Sequence, residues 1–448
     1  MQKEIPEVTR DKFGTGRILS KEEFAQRALS RPPPLAAADD IAAAQLPADL
    51  RIAIDTVFER GSDIVRDRAA RMLTLASIAS DLEPLRALLD SCKSATAQQV
   101  AAPFNSAWAA LVIDAIEWPD FELPLLYIRG FPVVFDIADS GVYRQDSQPA
   151  AIAEQDFKAN NTRMVSQLFD ELNRAKGDPE QRERRTQCWI KTKAEIAAGL
   201  LNGPYSRAKT DKRHGRGKWR CMGRNAIIQK GKWRCIDNAK RSKHNKAARM
   251  RERITCGRAD FPVTVSREFA RRAHSSALAR GAGIAKRPNP RLAASRSNRK
   301  LRMRHGCQDL KAAYRHVPTS QPEYTCVAVI NTDEDEVQIC EVPGHNFGLL
   351  SAVCNFNRYP ELAIVVTRRL LWVVCEHYYD DANTAEPAWA RDTGQQCLAA
   401  ICGEQFFGFG FDEEQTTGML PSNDYLGVSS SLEHADDGFV LMDVSASR

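Results

Sequence analysis

No stretch of this sequence is apolar for long enough to span a bilayer. The longest candidate, residues 362–375, is cut by Arg368 and Arg369. Residues 1–10 are polar and lack the apolar core of a signal peptide, so the expectation is an intracellular protein of nucleus or cytoplasm with no membrane partner. Cysteine pairs are missing too. The twelve cysteines stand singly, with no C-x-x-C and no Cys/His cluster at zinc spacing. That removes a zinc module and leaves reduced, mostly buried thiols as the reading. There is no Walker loop and no nucleophile elbow. Gly281-Ala282-Gly283 and Gly408-Phe409-Gly410 lack the strand-to-helix setting of a dinucleotide loop. No internal repeat is present.

Acidic residues are scarce in one place only. Residues 181–306 hold 36 Lys/Arg against 7 Asp/Glu, whereas the remainder holds 27 against 50. A solvated surface would not segregate the signs this way. The block reads as a polyanion-binding surface or tail, with nucleic acid the favoured partner. A nuclear-localisation stretch or plain disorder is the alternative.

Apolar spacing divides the chain. Residues 1–50 read as a flexible leader and 51–150 as a helical N-terminal domain. Residues 151–269 read as connecting helices and a basic region, with a hairpin turning at Lys230-Gly231-Lys232. Residues 270–305, rich in Arg, Ala, Ser, Pro and Asn, read as a basic disordered insertion. Residues 306–448 mix α and β: strands over 326–330 and 337–342, then a helix from 349 that breaks at Pro360 and resumes to 372. A helix over 388–406 and strands around 425–428 and 439–442 follow.

Two sites offer carboxylates for a divalent cation, Asp309 and the pair Asp380-Asp381. Taken alone, an Asp-Asp pair is usually a solvated turn, and Asp309 is equally an N-cap. Nucleotide addition, however, needs only two cations about 4 Å apart, held by such oxygen ligands plus substrate phosphates.

In order along the chain, these elements resemble reverse transcriptases of retrotransposon type. Asp309-Leu310-Lys311-Ala312-Ala313-Tyr314-Arg315 is similar to the first palm motif, an Asp with an aromatic five residues on. Asn346-Phe347-Gly348, opening a run of small residues, resembles the second. Tyr378-Tyr379-Asp380-Asp381 resembles the third. Lys232-Trp233-Arg234-Cys235-Ile236-Asp237 is similar to the fingers hairpin, and Tyr425-Leu426-Gly427-Val428 to the hairpin near the primer grip.

The resemblance implies an α+β right-hand polymerase, fingers and palm with an antiparallel palm sheet, preceded by the α-helical region and with the thumb largely missing. It implies an RNA-directed DNA polymerase taking RNA or DNA template, primer and dNTPs. Two Mg²⁺ ions, or Mn²⁺ in their place, would sit on Asp309, Asp380 and Asp381, with the Leu310 carbonyl as a further ligand. Tyr314 would gate against a 2′-hydroxyl, or else be a core aromatic. Lys232 and Arg234 would bind triphosphate, with Lys230 a rival for the lysine role. Phe347, Gly348 and Ser351 would line the nascent base pair, or else simply begin a helix.

Two positions depart from the pattern. Asn346 stands where many relatives have proline, and Gln415 where a lysine usually protonates pyrophosphate. Loss of that acid would slow chemistry by roughly 10²-fold. Three readings follow: a working polymerase, a degenerate nucleic-acid-binding relative, and, less favoured because of Tyr314, an RNA-dependent RNA polymerase.

Overall fold

The computed structural model describes residues 20, 22–23, 26, 46–229, 231–281, 301–311, 313–437 and 440–445. Contacts divide the chain into residues 1–48 and 49–448. In the first unit Ser20 and Glu23 cap each other. The Glu23 amide donates to Ser20 Oγ (3.1 Å) and the Ser20 amide to Glu23 Oε2 (3.0 Å). Most of the expected leader lies outside the described residues.

The second unit is mixed α and β, as expected. Among the described residues its strands in chain order are β1 Phe135–Asp136, β2 Arg144–Gln148, β3 Asn202–Tyr205, β4 Cys221–Gln229, β5 Lys232–Asp237, β6 Ala248–Arg253, β7 Met303–Leu310, β8 Cys326–Asn331, β9 Glu336–Glu341, β10 Cys375–Tyr378, β11 Asp381–Pro387, β12 Phe411–Leu420, β13 Ser422–Tyr425, β14 Val428–Ser431 and β15 Leu441–Val444. They form a five-stranded sheet ordered β3-β9-β8-β4-β5 and a four-stranded sheet ordered β10-β11-β7-β12. Two three-stranded sheets, β1-β6-β2 and β13-β14-β15, complete the set. β8 is buried along its whole length between β9 and β4, which is why Val327, Val329 and Ile330 run with little polar alternation. β5 is half-exposed and alternates.

The long helix Leu350–Leu371 packs beside the four-stranded sheet. It runs straight through Pro360, where the sequence suggests a break. Proline removes the N–H partner of the Phe356 carbonyl. Burial on both sides of the proline holds the helix together, and the Tyr143 hydroxyl donates to the neighbouring Asn357 carbonyl (3.0 Å).

Two further expectations change. Residues 51–150 do not form a core of their own. Phe104, Trp108, Leu126 and Phe131 share one apolar cluster with Leu310, Phe356, Leu398, Phe406 and Phe407. Truncating one of these large side chains would cost about 3–5 kcal/mol. Arg68, on the helix Ile64–Asp81, is buried and grips the Glu386 carboxylate of β11 with both terminal nitrogens (2.8 and 2.5 Å). Its other hydrogens go to the Leu371 and Trp372 carbonyls and the Thr393 hydroxyl. The expected insertion also shrinks. The helix Phe261–Gly281 covers its first part, with Phe261, Val265 and Phe269 buried, and β7 begins at Met303. Residues 282–300 lie outside the described residues. No described helix is long and apolar enough to cross a membrane. All twelve cysteines are free thiols, mostly buried or half-buried.

Candidate functional site

Strand register assembles the carboxylates. β11 pairs with β7 without interruption from Pro387 opposite Met303 to Asp381 opposite Asp309. On the other side of β7, β12 brings Asp412 opposite Asp309. Directly opposed residues of antiparallel strands share a face. Asp381, Asp309 and Asp412 therefore stand abreast on three neighbouring strands. A Cβ on Gly306 would come within 2.7 Å of Gln395 Nε2 and 2.9 Å of the Thr417 carbonyl, so glycine is what lets these groups approach β7.

The fourth carboxylate sits in a turn. Tyr379 and Asp380 form a two-residue loop between Tyr378 and Asp381, with Tyr379 at φ +53°. A positive φ suits so tight a hairpin but strains a tyrosine by about 1–3 kcal/mol. Two contacts hold the turn. The Leu310 amide donates to the Asp380 carbonyl (2.8 Å). His377 bonds the Tyr379 carbonyl through Nδ1 (3.2 Å) and Glu361, on the long helix, through Nε2 (2.7 Å). The Leu310 side chain is buried in the core.

These groups change one another's chemistry. Burial, and then the charges of Asp380, Asp381 and Asp412, push the Asp309 carboxyl up to about 7, with Arg234 opposing. Burial raises Asp380 too, against its own backbone N–H and again Arg234. Asp412, bonded by Gln415 (2.9 Å) and by the Glu414 amide, is held below the usual carboxylate range.

The charge of Arg234 acts on Asp309 and Asp380 from another sheet. β4 and β5 pair from Gln229 opposite Lys232 to Arg224 opposite Asp237. Alternation exposes Lys232, Arg234 and Ile236, while Trp233 and Cys235 turn to the core. Lys230 lies outside the described residues. The surrounding basic block is only partly free for a ligand. Arg213 is spent on Glu341, Arg251 on Asp136 and Arg272 on Asp55. Lys212, Arg216, Lys218 and Lys232 are exposed.

Tyr314 is half-buried, its ring edge-on to Phe347 (5.3 Å) and Phe356 (5.1 Å). Burial, then the Asp380 charge, raise its hydroxyl pKa. Its ring packs against the core while its hydroxyl feels the Asp380 charge. Phe347 is half-buried and Gly348 exposed. Gly348 has φ +118°, and a Cβ there would meet the Asp237 carbonyl at 2.2 Å, so no other residue fits this crossing. Ser351 is a correction. It is fully buried, its hydroxyl donating to the Val133 carbonyl (2.7 Å), and it lines no open surface.

Strand register and charge bring together Asp309, Asp380, Asp381 and Arg234, with Tyr314 close by. Asp412 escapes sequence reasoning, because only the β7–β12 register puts it opposite Asp309. In this conformation, among the described residues, no three Asp, Glu, His or Cys side chains converge tightly enough to hold one ion. The donors are nevertheless hard oxygens, and the mutual repulsion that raises Asp309 is what a divalent cation relieves. The chain matches no known family model. No curated protein matches it either.

Proposed function

We propose that this chain is an RNA-directed DNA polymerase that adds dNTPs to a primer 3′-hydroxyl on an RNA or DNA template. In this reading the four-stranded sheet is the palm and the β4–β5 hairpin part of the fingers. One observation carries it: Asp309, Asp381 and Asp412 stand abreast beside Asp380, and the charge of Arg234 reaches Asp309 and Asp380 from a separate hairpin.

Asp309, Asp380 and Asp381 would hold two Mg²⁺ ions, with the Leu310 carbonyl as a further ligand. Bound there, the ions would activate the primer hydroxyl and neutralise the leaving pyrophosphate. Arg234, helped by Lys232 at the hairpin tip, would grip the triphosphate. Tyr314, braced by Phe347 and Phe356, would present its ring edge to the incoming sugar. The exposed cations of the basic block would follow the template backbone, so template affinity should fall steeply with salt.

A second reading, a palm-like nucleic-acid-binding protein without catalysis, has its own observation. Gln415 stands where an acid would protonate pyrophosphate and is spent on Asp412. Primer extension on an RNA template with dNTPs and Mg²⁺ separates the two. Extension lost in Asp380→Asn/Asp381→Asn supports the polymerase. A folded wild type that binds template but extends nothing supports the second reading.

A further inference from the structure

Four charged side chains outside the carboxylate site meet inside the molecule. They are Glu195 on the helix Arg182–Ala197, Arg224 on β4, Asp237 at the end of β5, and Arg315 in the turn after Tyr314. Arg224 and Arg315 both reach Glu195 Oε2, at 2.5 and 3.1 Å. They stand 3.6 and 3.7 Å from the Asp237 carboxylate. The Arg224, Arg315 and Asp237 side chains are all but fully buried. Asn346 joins them, its amide donating to Asp237 Oδ2 (3.1 Å) and to the Thr325 carbonyl (3.2 Å).

All but Glu195 adjoin a candidate site residue or sit on a strand paired with one, and Glu195 joins them through both arginines. Asp237 ends the strand that bears Arg234, and its amide donates to the Phe347 carbonyl (3.0 Å). Arg315 follows Tyr314, donates to the His345 carbonyl (3.0 Å) and lies 5.0 Å from the Phe347 ring centre. Buried ion clusters stabilise no better than apolar side chains of equal volume, so specificity of geometry is the better reason for this one. Several of its polar atoms, Arg224 Nε, Arg315 Nε and Asn346 Oδ1 among them, make no hydrogen bond, which a purely stabilising network would not tolerate readily.

We propose that Glu195, Arg224, Asp237, Arg315 and Asn346 are positioning residues that lock the β4–β5 hairpin to the Tyr314–Phe347 pair and so fix how far Arg234 stands from the carboxylates. This rests on the polymerase reading for its consequence but not for its geometry. It also gives Asn346 a task at a position where proline could donate nothing.

The test uses Asn346→Ala, the mildest change, and Asp237→Asn, which removes a charge at constant shape. Hydrogen exchange comes first and needs no activity. Exchange should rise together in residues 221–237 and 313–317, by about tenfold for a lost bond to a charged group, while β7 and β11 stay as in the wild type. A rise confined to residues 343–349 overturns the proposal. So does an equal rise in β7 and β11. If Asp237→Asn does not fold, Asn346→Ala decides alone. In primer extension, KM for dNTP should rise about tenfold with kcat within roughly twofold. A fall in kcat at unchanged KM also overturns it. A wild type that extends no primer sinks the polymerase reading alone, and the exchange result still decides the coupling.

Discussion

Two clusters of charged side chains in the second unit are treated in opposite ways. In one, Asp309, Asp381 and Asp412 stand on adjacent strands beside Asp380, and Arg234 is the cation that opposes them at Asp309. Burial and mutual repulsion raise Asp309 to about 7. In the other, two carboxylates meet two guanidinium groups. There burial pushes Glu195 up, but Arg315 and Arg224 outweigh it and hold its carboxyl below the ordinary value. A protein gains nothing in stability from gathering like charges. It keeps them where a cation or a reacting group will use them. The balanced cluster has the opposite signature, charges matched within the chain, with Arg224, Arg315 and Asp237 buried and Glu195 half-buried. The contrast separates a site from a scaffold without appeal to motif.

Neutralising one carboxylate is the strongest way to break this comparison. Asp309→Asn should lower primer extension by at least the ~10²–10³-fold typical of losing a preorganised electrostatic group. Its melting temperature should stay level or rise, because a repelling charge has gone. A large drop in melting temperature would make Asp309 a structural residue. The matched cluster should respond in the reverse sense. Glu195→Ala strands two buried arginines and should cost about 3–5 kcal/mol in chemical denaturation. A loss under about 1 kcal/mol would mean that solvent already screens the cluster. Gly348→Ala comes next, at about 1–3 kcal/mol, since its Cβ meets the Asp237 carbonyl and its φ is positive. Matched denaturation curves of variant and wild type would measure it.

How much of this could be read from the chain alone follows from the range of each interaction. The β4–β5 hairpin and the β8–β9 pair are local, marked by apolar runs and turn residues, and the carboxylates are marked by the short motifs that carry them. Asp412 is not local. Its place opposite Asp309 depends on pairing strands about a hundred residues apart, and nothing local sets it apart from Glu413 and Glu414 beside it. The resemblance put Ser351 beside the nascent base pair, yet the Val133 carbonyl, far upstream in the chain, claims its hydroxyl. Pro360 looked like a helix end because propensity ignores the packing that holds both halves. The basic block seemed wholly available to a polyanion, but Arg213, Arg251 and Arg272 find acids more than a hundred residues away. The N-terminal helices seemed a separate domain, yet a shared core and long-range pairs such as Arg68–Glu386 and Arg358–Asp120 join them to the rest of the unit.

The smallest effect, and the one that sharpens the contrast most, is the response to pH without divalent cations. An unperturbed aspartate titrates near ~3.9, and burial with the neighbouring carboxylates pushes Asp309 in the folded chain up to about 7. Between these values the folded state holds a proton that the unfolded state has released, so this site makes stability fall as pH rises from about 4 to 7. Glu195 has the opposite sign. Its folded pKa is depressed, so its contribution is present above the unfolded value near ~4.3 and is lost only as pH falls through the lower folded value. Wild-type stability should therefore increase modestly as pH drops from 8 to 5, the gain limited by solvent screening at the half-exposed Asp309. In Asp309→Asn most of that slope should vanish, while Glu195→Gln should keep it. Mg²⁺ should stabilise the wild type more at pH 8 than at pH 6, because the ion competes with the same proton. Equal slopes in wild type and Asp309→Asn would show that the repulsion within the carboxylate cluster is already relieved, and the two clusters would then differ in sequence but not in physics.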